Sequence, residues 1–271
     1  MRIGIMGCAG RMGRTLLRET LATEGVTLAG GAERAGSPAL GQDLGVLAGG
    51  DPIGLAAHAD AGRLVRECDA LIEFSTPEAT LAHAALCAEA GVAHVVGTTG
   101  LNSAQEQELR RSAERIAIVW APNMSLGVNL LLALVEQVAR ALDEGFDIEI
   151  LEMHHRHKVD APSGTALALG RAAARGRGVD LGPVAVRVRD GLTGPRAKGS
   201  IGFATLRGGN VVGDHSVIFA GEDERVVLQH LASDRRIYAK GAVRAALWVK
   251  DRPPGLYGMA DVLGLSRNQE R

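Results

Sequence analysis

The chain has 271 residues, which is long enough for two domains. Its formal net charge of −1 argues against binding nucleic acid through bulk positive charge, and an aromatic content of 3% argues against a stacking platform for bases. The longest apolar run is too short to cross a bilayer, the amino terminus shows no secretion signal, and the scattered cysteines lack CxxC spacing. We therefore expect a cytoplasmic protein that binds neither nucleic acid nor membranes.

A glycine-rich loop follows the first apolar strand, which we expect over residues 3–6. Residues 7–13 read G-x-x-G-x-x-G, and a helix is expected from Arg14 to residue 23. The glycines let the backbone turn tightly and approach a pyrophosphate, which then binds at the amino terminus of the helix. Such a loop alone is a weak signal, but its place between a strand and a helix favours a dinucleotide site.

An acidic and a basic residue end the next strand. Glu33 lies twenty residues after Gly13, where an acid would hydrogen-bond the adenosine ribose. Arg34 is placed to bind a 2′-phosphate instead. The pair indicates that both NADH and NADPH could be used, whereas an ordinary charged pair at a strand end is the alternative interpretation.

Strands and helices alternate as far as residue 120. After an irregular segment, 35–60, with at most one short strand, we expect strands over 69–74, 92–96 and 116–120 and helices over 77–90 and 103–114. This alternation predicts a parallel sheet with helices on both faces. Ligands of such sheets bind at the carboxyl ends of the strands, so Gly97 and Thr99 are candidates for contact with the nicotinamide or its ribose.

The pattern changes after residue 125. A long apolar helix is expected over 127–142, and alternating segments follow at 184–188, 200–206, 211–219 and 225–230. These indicate an open, mostly antiparallel or mixed sheet, whose apolar outer face other subunits could cover. A helix over 237–250, a break at residues 253–254 and an apolar tail end the chain, and we expect its charged terminal residues to fray.

A cluster of imidazoles and cations lies between a strand and a helix in this second half, at residues 154–158. The turn at 160–165 opens the helix, with Ser163 or Asp160 as its N-cap. A helix amino terminus attracts anions, and imidazole exchanges protons near neutral pH. The place therefore suits a small anionic molecule that needs a proton donor.

Two other interpretations of the cluster are open. The residues could be solvated at a strand end, since polar side chains are mostly found at the surface. Strand alternation would also put His155 and His157 on one face, as metal ligands require, and His154 with Arg156 on the other. The neighbouring cations, Arg156 and Lys158, would repel a metal ion, so no metal site is expected.

The motif EMHHRHKVDAPSGTA at residues 152–166 closely resembles the signature of the 4-hydroxy-tetrahydrodipicolinate reductase family, also called dihydrodipicolinate reductases. Other landmarks of the family are matched in order at residues 7–13, 74–78, 97–100, 123–125, 201–204 and 241–248. The resemblance therefore covers essentially the whole chain. Its histidine-rich motif is highly specific, whereas the glycine loop alone would not be.

The resemblance implies an α/β fold: a Rossmann-like parallel-sheet nucleotide domain plus a second α+β domain with an open mixed sheet. Residues 1–125 would form the dinucleotide-binding domain, 126–234 the substrate-binding and oligomerisation domain, and 235–271 a segment returning to the first domain. It implies reduction of the product of dihydrodipicolinate synthase, a small dicarboxylate, with NADH or NADPH in lysine and diaminopimelate synthesis. It also implies a homotetramer.

Site residues follow from the same resemblance. His154 would be the proton donor or acceptor and Lys158 a second proton donor, and the substrate ligands would be His155, Gly164 and Thr165. The cofactor would contact Gly7, Cys8, Ala9, Gly10, Arg11, Met12, Glu33, Arg34, Gly97, Thr98, Thr99, Ala121, Pro122, Asn123 and Met124.

The chemistry agrees with these roles. Hydride adds to a conjugated imine and negative charge builds toward the ring nitrogen, which an acid must quench. A lysine can neutralise charge, and the N–H groups at the helix start can hold a carboxylate.

Two departures from the family pattern put the packing near the nicotinamide in doubt. Met124 replaces a common aromatic residue, and Glu73 replaces a common aspartate. Two alternative functions are a dehydrogenase acting on another small carboxylate and a nucleotide sensor without catalysis. The first is disfavoured by the KVDAPSGT segment, and the second predicts that His154 is dispensable.

Overall fold

The computed structural model describes residues 1–265, which form two units. One comprises Met1–Leu126 together with the described residues from Arg236 onward, and the other is Gly127–Arg235. Each break falls one residue after the junction expected from the sequence. The fraying expected of the terminal charged residues concerns positions 266–271, which lie outside the described residues.

The described residues form strands and helices throughout both units. The strands are β1 (Arg2–Met6), β2 (Thr27–Ala32), β3 (Ala70–Glu73), β4 (Ala93–Val96), β5 (Ala117–Trp120), β6 (Asp147–His154), β7 (Ala185–Val186), β8 (Ile201–Arg207), β9 (Gly213–Ala220), β10 (Arg225–Ala232) and β11 (Gly255–Tyr257). The helices are α1 (Arg11–Ala22), α2 (Leu44–Leu47), α3 (Ala61–Glu67), α4 (Pro77–Ala90), α5 (Ser103–Ala113), α6 (Leu126–Ala141), α7 (Gly164–Arg177), α8 (Leu181–Val184), α9 (Arg236–Val249) and α10 (Met259–Val262).

The first unit contains a six-stranded sheet in the order β11-β5-β4-β3-β1-β2, and every neighbouring pair is parallel. Ile3, Ile5 and Ile72 are completely buried, as expected of parallel strands that helices cover on both faces. Local signals start the helices: Thr76 caps α4 with Pro77 in its first turn, and Asn102 forms a capping box with Gln105 on α5. The predicted Rossmann-like parallel sheet is confirmed.

Some local predictions for this unit were wrong. Helix α1 begins at Arg11 rather than Arg14, so Gly13 lies within its first turn. The segment expected to be irregular contains α2, capped by Asp43, and leads to α3, capped by Asp60. The expected apolar tail contains β11, which pairs with β5. A three-residue strand carries too little periodicity to be recognised without its partner.

The second unit contains a five-stranded mixed sheet in the order β10-β9-β6-β8-β7. Strand β9 is antiparallel to β10 and β6, whereas β6, β8 and β7 run parallel. One face packs against α6 and α7 around a core that includes Phe203 and Phe219. The predicted mixed sheet is confirmed, although the strand expected over 184–188 is reduced to β7, behind the short helix α8.

Alternation along β6 decides where its polar residues point. Ile148, Ile150, Glu152 and His154 are buried on the face that the helices cover, while the residues between them are only partly buried. Ile148 and Ile150 pack into the core. The same periodicity therefore carries Glu152 and His154 onto the inner face of the sheet, at the carboxyl end of the strand.

Candidate active site

Polar side chains form a row across the inner face of the second sheet. The register pairs Glu152 on β6 with Thr205 on β8 and with His215 on β9, and pairs His215 with His230 on β10. Paired residues on neighbouring strands share a face. The row is buried at its centre, where Glu152 is 1% and His215 4% exposed. These groups must therefore find their hydrogen-bond partners within the protein.

The carboxylate of Glu152 is the hub of this row. It accepts hydrogen bonds from Arg207 Nη1 (2.8 Å) and Nη2 (2.9 Å) and from the Ser163 N–H (3.0 Å), and Oε2 lies 2.6 Å from His154 Nδ1. Burial alone would raise the pKa of Glu152, but the bonds from Arg207, His154 and Ser163 outweigh it and hold the pKa below its ordinary value. Glu152 is therefore an ionised, buried group.

His154 and His215 stand edge to face. Their ring centroids are 5.1 Å apart and their planes meet at 76°. Burial, with a smaller contribution from His154, lowers the pKa of His215 to about 4. His215 is therefore neutral at physiological pH and adds no positive charge beside His154. Its Nε2 lies 3.1 Å from Ser163 Oγ, which joins the row to the start of α7.

Ser163 is the residue that caps α7, in preference to Asp160. Its Oγ accepts the N–H of Ala166 at 3.1 Å, and the helix begins at Gly164 with no acidic residue in its first turn. Gly164 is exposed and Thr165 partly buried. The structure thus brings the predicted substrate ligands Gly164 and Thr165 to a helix amino terminus, a place that attracts anions.

The cationic end of the motif is a turn rather than a continuation of the strand. Strand β6 ends at His154, and Lys158 N–H bonds to His155 O at 3.1 Å, so the strand alternation expected for residues 155–157 was wrong. Lys158 Nζ pairs with Asp160 at 2.8 Å. His157 and Arg156 are exposed, as expected of solvated strand-end residues.

A cavity of about 390 Å³ lies beside His155. It is lined by His155, Asn210, Val212, Ser233, Asp234 and Arg235. Arg235 Nη2 is 3.2 Å from His155 Nε2, and partial burial together with the Arg235 charge lowers the pKa of His155. A neutral imidazole and a guanidinium at one cavity suit a carboxylate ligand. Sequence reasoning missed Arg235, and its position at the start of a helix is a weak signal.

No group of histidine, cysteine or acidic residues within residues 1–265 has the geometry of a metal site. The same part of the chain holds no helix long and apolar enough to span a membrane.

The glycine loop of the first unit has the close packing that a dinucleotide loop requires. Gly7 has φ of +63°, and a Cβ on Gly13 would lie 2.0 Å from Gly7 O. Between them Cys8 is buried and points into the core, Ala9 and Met12 are partly buried, and Gly10 and Arg11 are exposed. Side chains of the loop thus point both inward and outward.

Glu33 reaches back to this loop. Its carboxylate accepts the N–H of Ala9 at 3.1 Å and the N–H of Arg34, also at 3.1 Å. Arg34 itself is exposed. The structure therefore brings the acid at the end of β2 to the loop and leaves the guanidinium beside it facing solvent.

The second predicted loop, after β4, exposes only part of itself. Thr99 is exposed, whereas Gly97 packs so tightly on Phe74 that a Cβ would lie 2.2 Å from the ring. Thr98 is 2% exposed, and its Oγ1 accepts hydrogen bonds from Ser75 N (2.9 Å) and Thr80 Oγ1 (2.8 Å). Any contact between Thr98 and a cofactor must therefore use its backbone.

Residues 121–124 likewise differ in what they can offer a ligand. Met124 is 0% exposed in the core, and a Cβ on Gly241 would lie 1.7 Å from its carbonyl oxygen. Ala121 is buried, Asn123 is partly buried and Pro122 is exposed. The sequence could not distinguish these positions, because they occupy one short loop without periodicity.

A buried ionic cluster that the sequence did not reveal supports the Thr98 loop. Glu73 is 0% exposed, accepts a hydrogen bond from Ser75 Oγ at 2.7 Å, and lies 2.8 Å from His83 Nδ1 and 2.9 Å from His94 Nε2. The His94 approach is close enough for an ion pair but lacks hydrogen-bond alignment. Burial opposes the charge, but the histidines hold the pKa of Glu73 well below its ordinary value.

Comparisons with known proteins agree over both units. Residues 1–124 match the family model "Dihydrodipicolinate reductase, N-terminus", and residues 127–263 match "Dihydrodipicolinate reductase, C-terminus". Relatives named 4-hydroxy-tetrahydrodipicolinate reductase include one from Parvibaculum lavamentivorans, 60% identical over 98% of both chains. Another, from Afipia carboxidovorans, is 57% identical over 98% of this chain and 97% of its own.

Solved structures share the fold. A dipicolinate-bound dihydrodipicolinate reductase from Paenisporosarcina sp. TG-14 aligns with a TM-score of 0.76 and 24% identity, over 96% of this chain and 98% of its own. An amine dehydrogenase from Mycobacterium smegmatis aligns with a TM-score of 0.62 and 17% identity, over 100% of this chain and 97% of its own. At these identities the likeness concerns the fold alone.

Proposed function

The chain belongs to the dihydrodipicolinate reductase family, and we infer that it reduces 4-hydroxy-tetrahydrodipicolinate to tetrahydrodipicolinate in lysine and diaminopimelate synthesis. The family uses NADH or NADPH, which supplies a hydride to the substrate ring when bound. The observation that carries this conclusion is the match of both family models along the chain, with the histidine-rich motif at the end of β6.

The first unit suits a dinucleotide, and we assign residues 1–126 and the segment from Arg236 onward to its binding. The close packing of Gly13 on Gly7 leaves the start of α1 open to a pyrophosphate. Glu33 would bind the adenosine ribose and Arg34 a 2′-phosphate. Exposed Thr99, with the backbone of Gly97 and Thr98, would contact the nicotinamide end.

The other predicted cofactor contacts also divide into positions that can offer a side chain and positions that can offer only backbone groups. Residues 7–12 and 121–124 would take part mainly through backbone groups, since the side chains of Cys8, Ala121 and Met124 are buried. Met124, which replaces the aromatic residue common in the family, belongs to the core of the first unit. For this reason we expect the Met124 departure to affect packing rather than cofactor chemistry.

We assign residues 127–235, the second unit, to substrate binding and proton transfer. One carboxylate of the substrate would bind the N–H groups at Gly164 and Thr165, at the amino terminus of α7. The other would bind at the cavity that His155 and Arg235 line, where Arg235 would donate to the carboxylate while His155 Nε2 accepts from Arg235 and so positions the guanidinium.

His154 is the proton donor in this proposal. Its Nδ1 is engaged by Glu152 and its Nε2 has no hydrogen-bond partner among the described residues, so Nε2 can serve a ligand. As negative charge builds toward the ring nitrogen, the imidazolium gives up its proton to that atom. Lys158, held 2.8 Å from Asp160, would stabilise negative charge and act as a second donor.

The open face of the second sheet supports a homotetramer. Leu206, Val227 and Leu231 lie there with 47%, 54% and 59% of their surfaces exposed. Apolar patches of this kind mark protein interfaces, and a second sheet of the same kind would cover them. Free, buried cysteines (Cys8, Cys68 and Cys87) suit a reducing compartment, and we assign the protein to the cytoplasm.

The decisive experiment is an assay with freshly made dihydrodipicolinate synthase product. We expect oxidation of NADH and NADPH, and we expect His154→Gln to lower kcat about 100-fold, the scale of losing a general acid. Absence of cofactor oxidation by the native enzyme would refute the proposed activity. Full turnover by His154→Gln would instead refute the role of His154, and cofactor binding without turnover would favour a sensor.

A further inference from the structure

We propose that Glu152, held by Arg207, is a positioning residue that fixes the proton-donating tautomer of His154 and stabilises its protonated form. The inference deepens the proposed function, because it presumes that His154 delivers the proton. It concerns residues that the sequence alone assigned no role: Glu152 is the first residue of the motif, and Arg207 is separated from it by 55 positions.

Several hydrogen bonds fix the position of the Glu152 carboxylate. Arg207 grips it with both terminal nitrogens at 2.8 and 2.9 Å, and the same guanidinium donates to Asp160 O at 2.6 Å. The Ser163 N–H adds a bond at 3.0 Å from the helix start. A planar guanidinium pairing with both carboxylate oxygens restricts rotation more than a lysine could. The carboxylate is therefore a rigid reference point for His154.

This geometry selects one tautomer of His154. Arg207 and Ser163 keep Glu152 ionised, and an ionised carboxylate can only accept, so the nitrogen 2.6 Å away, Nδ1, must carry a hydrogen. The donor to the substrate is then Nε2. Space for that atom depends on a glycine, because a Cβ on Gly213 would lie 2.9 Å from Nε2.

The charged groups around Glu152 distinguish His154 from the other imidazoles of the row. The Glu152 carboxylate contacts both Arg207 on β8 and His154, and Lys158 in the turn is paired with Asp160. His215 on β9 is neutral, and burial lowers the pKa of His230 on β10. Among the imidazoles of this row, His154 is thus the one whose ring nitrogen directly contacts a carboxylate.

The proton balance is simple. Once the substrate ring has lost its hydroxyl as water and accepted a hydride, the Nε2–H bond of the imidazolium breaks, an N–H bond forms on the ring nitrogen, and His154 becomes neutral. The Nδ1–H bond to Glu152 persists throughout, so Glu152 is never protonated. A solvent proton then restores Nε2–H.

The test is the pH dependence of kcat for Glu152→Gln. Glutamine keeps an oxygen that can accept from Nδ1 but removes the charge, so the protonated form of His154 is less favoured. We expect kcat to fall about 10- to 100-fold and its high-pH limb to move about one unit lower. The KM for NADH should stay unchanged, because the cofactor loop lies in the other unit.

The chain offers a matched control in the same strand. Glu149 lies on the opposite face of β6 and is gripped by Arg189 at 2.8 Å through both nitrogens and by Arg196 at 2.9 Å. Glu149→Gln removes a comparable carboxylate and should leave the pH profile where it is. An unchanged high-pH limb in Glu152→Gln, with His154→Gln inactive, would overturn this inference and leave the proposed function intact.

A measurement on the unaltered protein covers the case in which Glu152→Gln fails to fold. Nitrogen-15 NMR of labelled histidines distinguishes the two neutral tautomers, and His154→Gln identifies the resonance that belongs to His154. We expect hydrogen on Nδ1 at high pH. Hydrogen on Nε2 in the neutral form would overturn the inference.

Discussion

Thr80 Oγ1 lies 2.8 Å from Thr98 Oγ1, inside the first unit. The side chain of Thr98 therefore points into the interior of the unit, although the loop as a whole was predicted to bind the cofactor. Trp120 Nε1 donates to the Thr98 carbonyl at 3.2 Å and holds the backbone as well. Thr98 is thus an anchor on which its exposed neighbour, Thr99, is displayed.

Thr98→Val should destabilise the protein more than it weakens cofactor binding. The change leaves the Ser75 N–H and the Thr80 hydroxyl without their acceptor, and each unsatisfied buried group costs about 1–3 kcal/mol. Urea unfolding measures the loss. Thr99→Val, in the same loop but exposed, should stay within about 0.5 kcal/mol. Equal stability of the two variants would contradict the anchor role of Thr98.

Glu73→Gln should lower stability at neutral pH and do so less in acid. The ionised Glu73 beside His83 and His94 has its pKa depressed by folding, so its contribution is full above the unfolded value, about 4.3, and is lost as pH falls below it. Breaking a buried pair costs about 3–5 kcal/mol. Urea unfolding should show a smaller difference in unfolding free energy between wild type and Glu73→Gln at pH 3 than at pH 6.

The control for Glu73 is an exposed ion pair. Glu67 pairs with Arg63 at 2.9 Å on the surface of α3, so Glu67→Gln should cost no more than about 1 kcal/mol. A Glu73→Gln penalty that is equally large at both pH values would show that shape rather than charge matters at this site.

Arg34→Ala should weaken the binding of NADPH and spare NADH. Arg34 is exposed beside Glu33, and we assign it to the 2′-phosphate of NADPH. A charged hydrogen bond of about 1.5–3 kcal/mol corresponds to roughly a 10- to 100-fold change in KM. Steady-state kinetics with both cofactors give the comparison. Arg110→Ala on α5 serves as a control arginine, and equal losses with NADH and NADPH would refute the assignment.

Val227→Glu with Leu231→Glu should dissociate the expected tetramer. Both side chains are exposed on the open face of the second sheet, where a buried carboxylate in an interface would be costly. Sedimentation or light scattering should report a smaller species. Leu21→Glu, at a leucine exposed on α1 of the other unit, should leave the assembly intact, and a monomeric native enzyme would contradict the prediction outright.

The sequence by itself determined the features that contiguous residues carry. The glycine loop, the restriction of the α7 cap to Ser163 or Asp160, and the alternation along β6 all depend on spacing within a few residues. Helix periodicity and capping are local physics, so they can be read without knowing the fold. The same holds for the motif at residues 152–166, which indicated the family and the candidate catalytic side chains.

Only the tertiary structure decided which distant groups meet. Arg207 and His215 reach Glu152 and Ser163 because the strands β8, β6 and β9 pair in one register, and a shift by one residue would turn them to the open face. The inward orientation of Thr98, the burial of Met124 and the pairing of β11 with β5 likewise depend on packing between segments far apart in the chain. Burial and register are properties of the assembled sheets, and no short stretch of sequence contains them.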